Sequence, residues 1–216
     1  MILFNTLMGV CAGLVILLCA DALTKIHKTE AEGAALAGTG VALLVVGAPL
    51  TFLSAVMAVT WPLTVNPPIN IAFAEPGLML GVLAFVGGGI LAKGRFRPDA
   101  TFTAPLTWVI GAVGLVLLSI SSAIFSYNLM GDAPPQEPIS GQFQGWENTT
   151  FAIVYLIAAV GCLAMPLYRS DRIWAFHVIR WAWIISGLFF LLFSVLNYRT
   201  HIGMLINTLH HTSYKW

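Results

Sequence analysis

The stretch Trp61–Leu80, WPLTVNPPINIAFAEPGLML, holds Glu75, the only charged residue between Glu32 and Lys93. Two asparagines, Asn66 and Asn70, and four prolines, Pro62, Pro67, Pro68 and Pro76, surround it. How this stretch is read decides the architecture. Proline is favoured in the first helical turn, and the residue before it avoids the helical region. The pattern predicts a helix that opens at Glu75-Pro76. Glu75 would be its N-cap, the carboxylate accepting from free amides at the positive end of the dipole. From Pro76 to Ala92 such a helix spans roughly 25 Å, barely a bilayer core of about 30 Å. Residues 61–75 would then descend as irregular or re-entrant chain. That backbone needs protein or water around it, and Asn66 and Asn70 offer side-chain hydrogen bonds to it.

Composition sets the class around this stretch. Of 216 residues, 58% are hydrophobic and 9% charged, with a mean hydropathy of +0.87. Soluble domains carry about 25% charged residues. The chain reads as an all-α integral membrane protein of about six transmembrane helices. By length and charge breaks the spans fall at about 1–22, 34–60, 73–92, 104–127, 149–168 and 174–198, in one bundle over 1–198. Pro49 marks a kink in the second. The tail 199–216 places Ile202, Leu205, Ile206 and Leu209 at helical spacing, an amphipathic segment along the outer interface. The first apolar run lacks a basic n-region, and Lys25 follows it, so it reads as a retained span rather than a signal peptide.

Cations give an orientation. Lys25 and Lys28 lie in the first loop, Lys93, Arg95 and Arg97 in the third, Arg169 and Arg172 in the fifth. The second loop and the fourth (128–148) have none, and the fourth carries Asp132, Glu137 and Glu147. The positive-inside rule places the first, third and fifth loops in the cytoplasm and both termini outside, in a membrane of the bacterial inner type. Arg199 and Lys215 in the tail run against the trend. A net charge of +1 and the lack of a basic block give no sign of a nucleic-acid partner. Lipids and other membrane subunits are the expected partners.

Few residues suggest chemistry. Glu75, Asn66 and Asn70 form one candidate polar site: a structural cap, or a pocket open to the outer face that takes a proton, a cation or a headgroup. His177 and Arg180 share a helical face, with Trp174, Trp181 and Trp183 nearby. They form an interfacial belt or a contact for haem, pigment or quinone. His27 is assigned to a loop, so no second histidine offers a matching axial ligand. His201, His210 and His211 with the acidic fourth loop use copper or zinc vocabulary without a metal-site spacing. Cys11, Cys19 and Cys162 sit in apolar runs without a CxxC. No P-loop, GxSxG or HExxH occurs, and the sequence indicates no particular cofactor. Asn148-Thr-Thr is a glycosylation sequon by pattern. Gly9-x-x-x-Gly13 and Gly77-x-x-x-Gly81 are spacings that let helices approach closely.

The strings Thr60-Trp61-Pro62-Leu63 and Asn70-Ile71-Ala72-Phe73-Ala74-Glu75-Pro76 resemble the signature of an uncharacterised family of polytopic prokaryotic membrane proteins, catalogued as a domain of unknown function. The resemblance implies a multi-helix membrane fold and adds no chemistry. Three functions are carried forward. The first is a non-catalytic accessory or structural subunit of a larger membrane complex, respiratory or otherwise redox. The second is a small transporter or channel using Glu75 at a broken helix. The third is a membrane enzyme with an outward-facing metal site.

Overall fold

Six helices form because six apolar runs are each long enough to satisfy their own backbone across a bilayer. The structure is a computed structural model and describes residues 2–28, 34–64, 66–94, 100–168 and 172–210. The helices are α1 (Ile2–His27), α2 (Ala34–Thr60), α3 (Pro68–Ala92), α4 (Ala100–Tyr127), α5 (Trp146–Ala164, followed by a 3-10 turn Met165–Leu167) and α6 (Ile173–Leu209). All six are long and apolar enough to cross a membrane, the makeup of a multi-pass membrane protein. No strand occurs among the described residues. The start of α1, the end of α6 and the 61–67 and 128–145 connections share one end of the bundle, the terminal end. The other connections define the basic end, which holds Lys25, Lys28, Lys93 and Arg172. Arg95, Arg97 and Arg169 lie outside the described residues.

Two boundaries differ from expectation. The third helix begins at Pro68, with Pro67 as its N-cap, and the described irregular residues before it are 61–64, 66 and 67. Pro76 therefore lies inside α3. Having no N–H, it cannot bond the carbonyl of Ala72 four residues back. The hydroxyl of Tyr155 on α5 donates to that carbonyl instead, at 2.9 Å in a buried setting. A donor from another helix thus replaces the missing amide, and α3 continues through the proline.

The second difference is in the tail. Residues 199–209 are not a separate interfacial segment but the last turns of α6, a helix of 37 residues. At 1.5 Å per residue it reaches about 55 Å, well beyond a bilayer core of about 30 Å. The 128–145 connection supports the overhang. Gly203 lets Pro138 approach, since an added Cβ would meet its Cγ at 2.8 Å. The Asn207 amide donates to the Gln136 carbonyl at 2.9 Å. The connection is folded around Glu137, which is 6% exposed. One carboxylate oxygen accepts from the backbone amides of Ile139 (2.8 Å), Ser140 and Gly141 (3.3 Å). The Ser140 hydroxyl in turn donates to Glu147. Gln144 exchanges two hydrogen bonds with the backbone of Ala133, both 3.1 Å.

Glycines set the closest packing. On α1, a Cβ at Gly13 would lie 2.5 Å from the Leu191 amide of α6, and one at Gly9 would strike Ser194. On α3, a Cβ at Gly81 would lie 2.7 Å from the Thr51 amide of α2, and one at Gly77 would meet the Ser54 hydroxyl at 2.6 Å. Both small-residue motifs are thus helix contacts. Within Gly87-Gly88-Gly89 only Gly88 is pressed against α2, while Gly87 has open space. Neighbours run α3, α2, α1, α6, α5, α4 around the bundle. The circuit closes only thinly between α4 and α3. Phe151 is the hub of the terminal-end core, in edge contact with Phe73, Phe189, Phe190 and Phe193.

Two outcomes follow. Tyr155→Phe leaves the Ala72 carbonyl buried and unpaired, a loss of about 1–3 kcal/mol. Thermal unfolding in detergent reads it. Pro76→Ala restores an amide donor, so the Tyr155→Phe penalty shrinks in that background, and an equal penalty in both backgrounds refutes the substitution of donors. Glu137→Leu strips three amides of their acceptor and speeds hydrogen exchange at Ile139–Gly141. Unchanged exchange there means the carboxylate does not organise the loop.

Candidate functional site

Asn70, 1% exposed, holds the entry to α3. Its side-chain oxygen accepts from the Leu63 amide at 3.0 Å. Its amide donates to the carbonyls of Leu63 (3.1 Å) and Pro67 (2.9 Å). Asn66 donates to the Leu129 carbonyl at 2.7 Å, fastening the same stretch to the end of α4. Both side chains are occupied with backbone, so they do not join Glu75 in an open polar pocket.

Glu75 is not a cap. It lies in the second turn of α3 and is exposed. Ile71, Glu75, Met79, Val82 and Val86 recur at spacings of three and four, which puts them on one exposed stripe. Every other member of that stripe is apolar. Glu75 has no hydrogen-bond or ion-pair partner among the described residues. From Pro68 it is about 10 Å down a helix of about 37 Å.

The histidines are dispersed. His177 is exposed near the start of α6, beside Trp181, which is also exposed. The Arg180 guanidinium lies 5.1 Å from the Trp181 ring centroid. His177 and Trp181 face outward and Arg180 is half-buried beside them. His201 turns inward, its Nδ1 3.2 Å from the Thr6 hydroxyl. His210 is exposed at the end of α6, roughly 13 Å further along the axis. His211 lies outside the described residues. Among the described residues no three His, Cys, Asp or Glu side chains converge as metal ligands. His27 is not in a loop but ends α1, stacked on Phe176 at 3.9 Å and 3.2 Å from the Tyr168 hydroxyl. The three cysteines are free thiols. Asn148 is buried, its side-chain oxygen accepting from the Met130 amide, so the sequon is not presented to solvent.

Two features escape a sequence reading. At the basic end, the Asp21 carboxylate accepts from Lys25 (2.6 Å) and from the Thr39 hydroxyl of α2 (2.7 Å). The four-residue spacing of Asp21 and Lys25 is visible in sequence, whereas Thr39 requires the packing of α1 on α2. The second is a cavity of about 1340 Å³ behind the thin α3–α4 contact. Along α1 it runs from Asn5 to Ile26, about 30 Å. Its walls are largely apolar, with Leu80, Ile110 and Trp183 among them. Its polar lining at the terminal end is Asn5, Thr6, Ser194, Asn197 and His201. An asparagine within an apolar run, as at Asn197, was the available clue.

No curated protein and no solved structure matches this chain. One family model does, described as a protein of unknown function, DUF981, and the match extends over residues 1–204. The six-helix chain belongs to that family.

Proposed function

We propose that the protein is a non-catalytic subunit of a larger membrane assembly and that α3 is its docking helix. The observation that carries this reading is Glu75 on an otherwise apolar exposed stripe. A helix of about 37 Å centred on a core of about 30 Å puts Glu75 inside the hydrocarbon region. A carboxylate facing lipid there is costly, and such residues normally turn to protein or water. A partner helix that presents a lysine, arginine, histidine or amide at the same depth removes the cost. The flanking Ile71, Met79 and Val82 supply the apolar contact around that pair.

The other two readings lose their starting points. A broken-helix transporter needs a break at Glu75, and α3 runs unbroken through it. An enzyme built on Glu75 and the terminal histidines needs these groups together, and α6 holds His201 and His210 apart. The positive-inside rule orients the proposed subunit with the basic end in the cytoplasm and both termini outside.

The test is native purification in mild detergent, with mass spectrometry of co-migrating chains. Wild type is expected to carry a stoichiometric membrane partner. Glu75→Leu is expected to lose it, with at least a tenfold drop in co-purified partner. Because Glu75 is exposed and has no hydrogen-bond or ion-pair partner among the described residues, the same substitution leaves the thermal unfolding of the isolated protein within about 2 °C, on the scale of a surface change. A protein that migrates alone or as a homo-oligomer, or a partner retained by Glu75→Leu, overturns the proposal.

A further inference from the structure

The cavity behind the α3–α4 contact is a separate feature, since Glu75 does not line it. Its polar groups are unevenly committed. Towards the basic end the Tyr168 hydroxyl is engaged with His27, and the Thr107 hydroxyl with the Ala104 carbonyl. At the terminal end, Ser194 is 5% exposed, and neither it nor Asn197 has a hydrogen-bond partner among the described residues. His201 spends Nδ1 on Thr6, which leaves Nε2 open. Buried polar groups are normally paired, so the buried Ser194 hydroxyl, beside half-buried Asn197 and His201 at one end of an apolar space, points to a ligand that pairs them.

We propose that this cavity binds one neutral-headed amphiphile with a single long hydrocarbon chain, prenyl or acyl. Its head sits among Ser194, Asn197 and His201, and its chain runs towards Tyr168. Three observations select this class. Among the described residues no lysine, arginine, aspartate or glutamate lines the cavity, so a charged head would be buried without a counter-ion. The space is about 30 Å long and larger than the roughly 300–1,000 Å³ of ordinary small-molecule pockets, which suits a chain better than a compact ligand. The thin contact between α3 and α4 opens it sideways, the direction from which a membrane-dissolved molecule arrives. A partner's transmembrane helix is the competing occupant. Its backbone groups are already paired within the helix, so its backbone offers Asn197 and Ser194 nothing.

Gly87 gives a direct test. It lines the cavity, and a Cβ added there meets nothing within 4 Å. Gly87→Phe therefore adds a ring to the cavity wall from an open position, and Asn197→Leu removes the head contact while keeping the walls. The full chain is purified in mild detergent and its lipids are extracted and quantified by mass spectrometry. Geranylgeraniol and monoolein are then added as probes and followed by native mass spectrometry. Wild type is expected to hold about one neutral amphiphile per chain. Gly87→Phe is expected to reduce this at least tenfold and Asn197→Leu about tenfold, both with unchanged helix content. Which probe is retained separates prenyl from acyl. Three results overturn the proposal: phospholipid in bulk proportion only, occupancy unchanged in both variants, or loss of a partner chain rather than a lipid from Gly87→Phe.

Discussion

The hydrogen bond from Tyr155 to the Ala72 carbonyl is the constraint on which the architecture of this protein turns. Without it, Pro76 leaves an acceptor unpaired in the interior, where the cost is highest. With it, α3 is one continuous helix from Pro68 to Ala92. Continuity fixes the phase of everything on that helix. Gly77 and Gly81 fall against α2, Asn70 falls inside, and Glu75 falls on the outer stripe. A helix restarted at Pro76 would keep its glycines but lose the fixed relation between Asn70 and Glu75.

Small residues set the closest approaches in the bundle. In lipid the hydrophobic effect does not drive helices together, so close backbone approach and interhelical hydrogen bonds carry the association. The α1–α6 and α2–α3 pairs have their glycines where approach is closest. The α4 helix leans on α5, with Gly111 and Gly114 against Pro166, Cys162 and Leu163. Between α3 and α4 the contact is slight, and the cavity is the result.

How much of this could be read beforehand depended on the range of the physics. Six helices were legible because length and charge breaks are local, and the irregular entry to the third was legible from its proline density. Its start at Pro68 was not, because the donor that cancels the proline rule comes from α5. The length of α6 was not, because its overhang depends on how Glu137 folds the 128–145 connection. Glu75 stood out as a lone charge, yet its exposure depends on helical phase. The cavity left only Asn197 as a clue, since an empty volume has no residue of its own and exists only once six helices are packed.

The α3–α4 seam is fastened near the terminal end, where Asn66 of the α2–α3 connection bonds the Leu129 carbonyl just beyond α4, and at the opposite end the chain itself joins the two helices. A seam secured at both ends and loose between them behaves as a slit in a taut sheet. Lateral tension in the membrane would widen its middle and leave the ends in place. Among the described residues no hydrogen bond joins α3 to α4 between those ends, so a widened middle would break none.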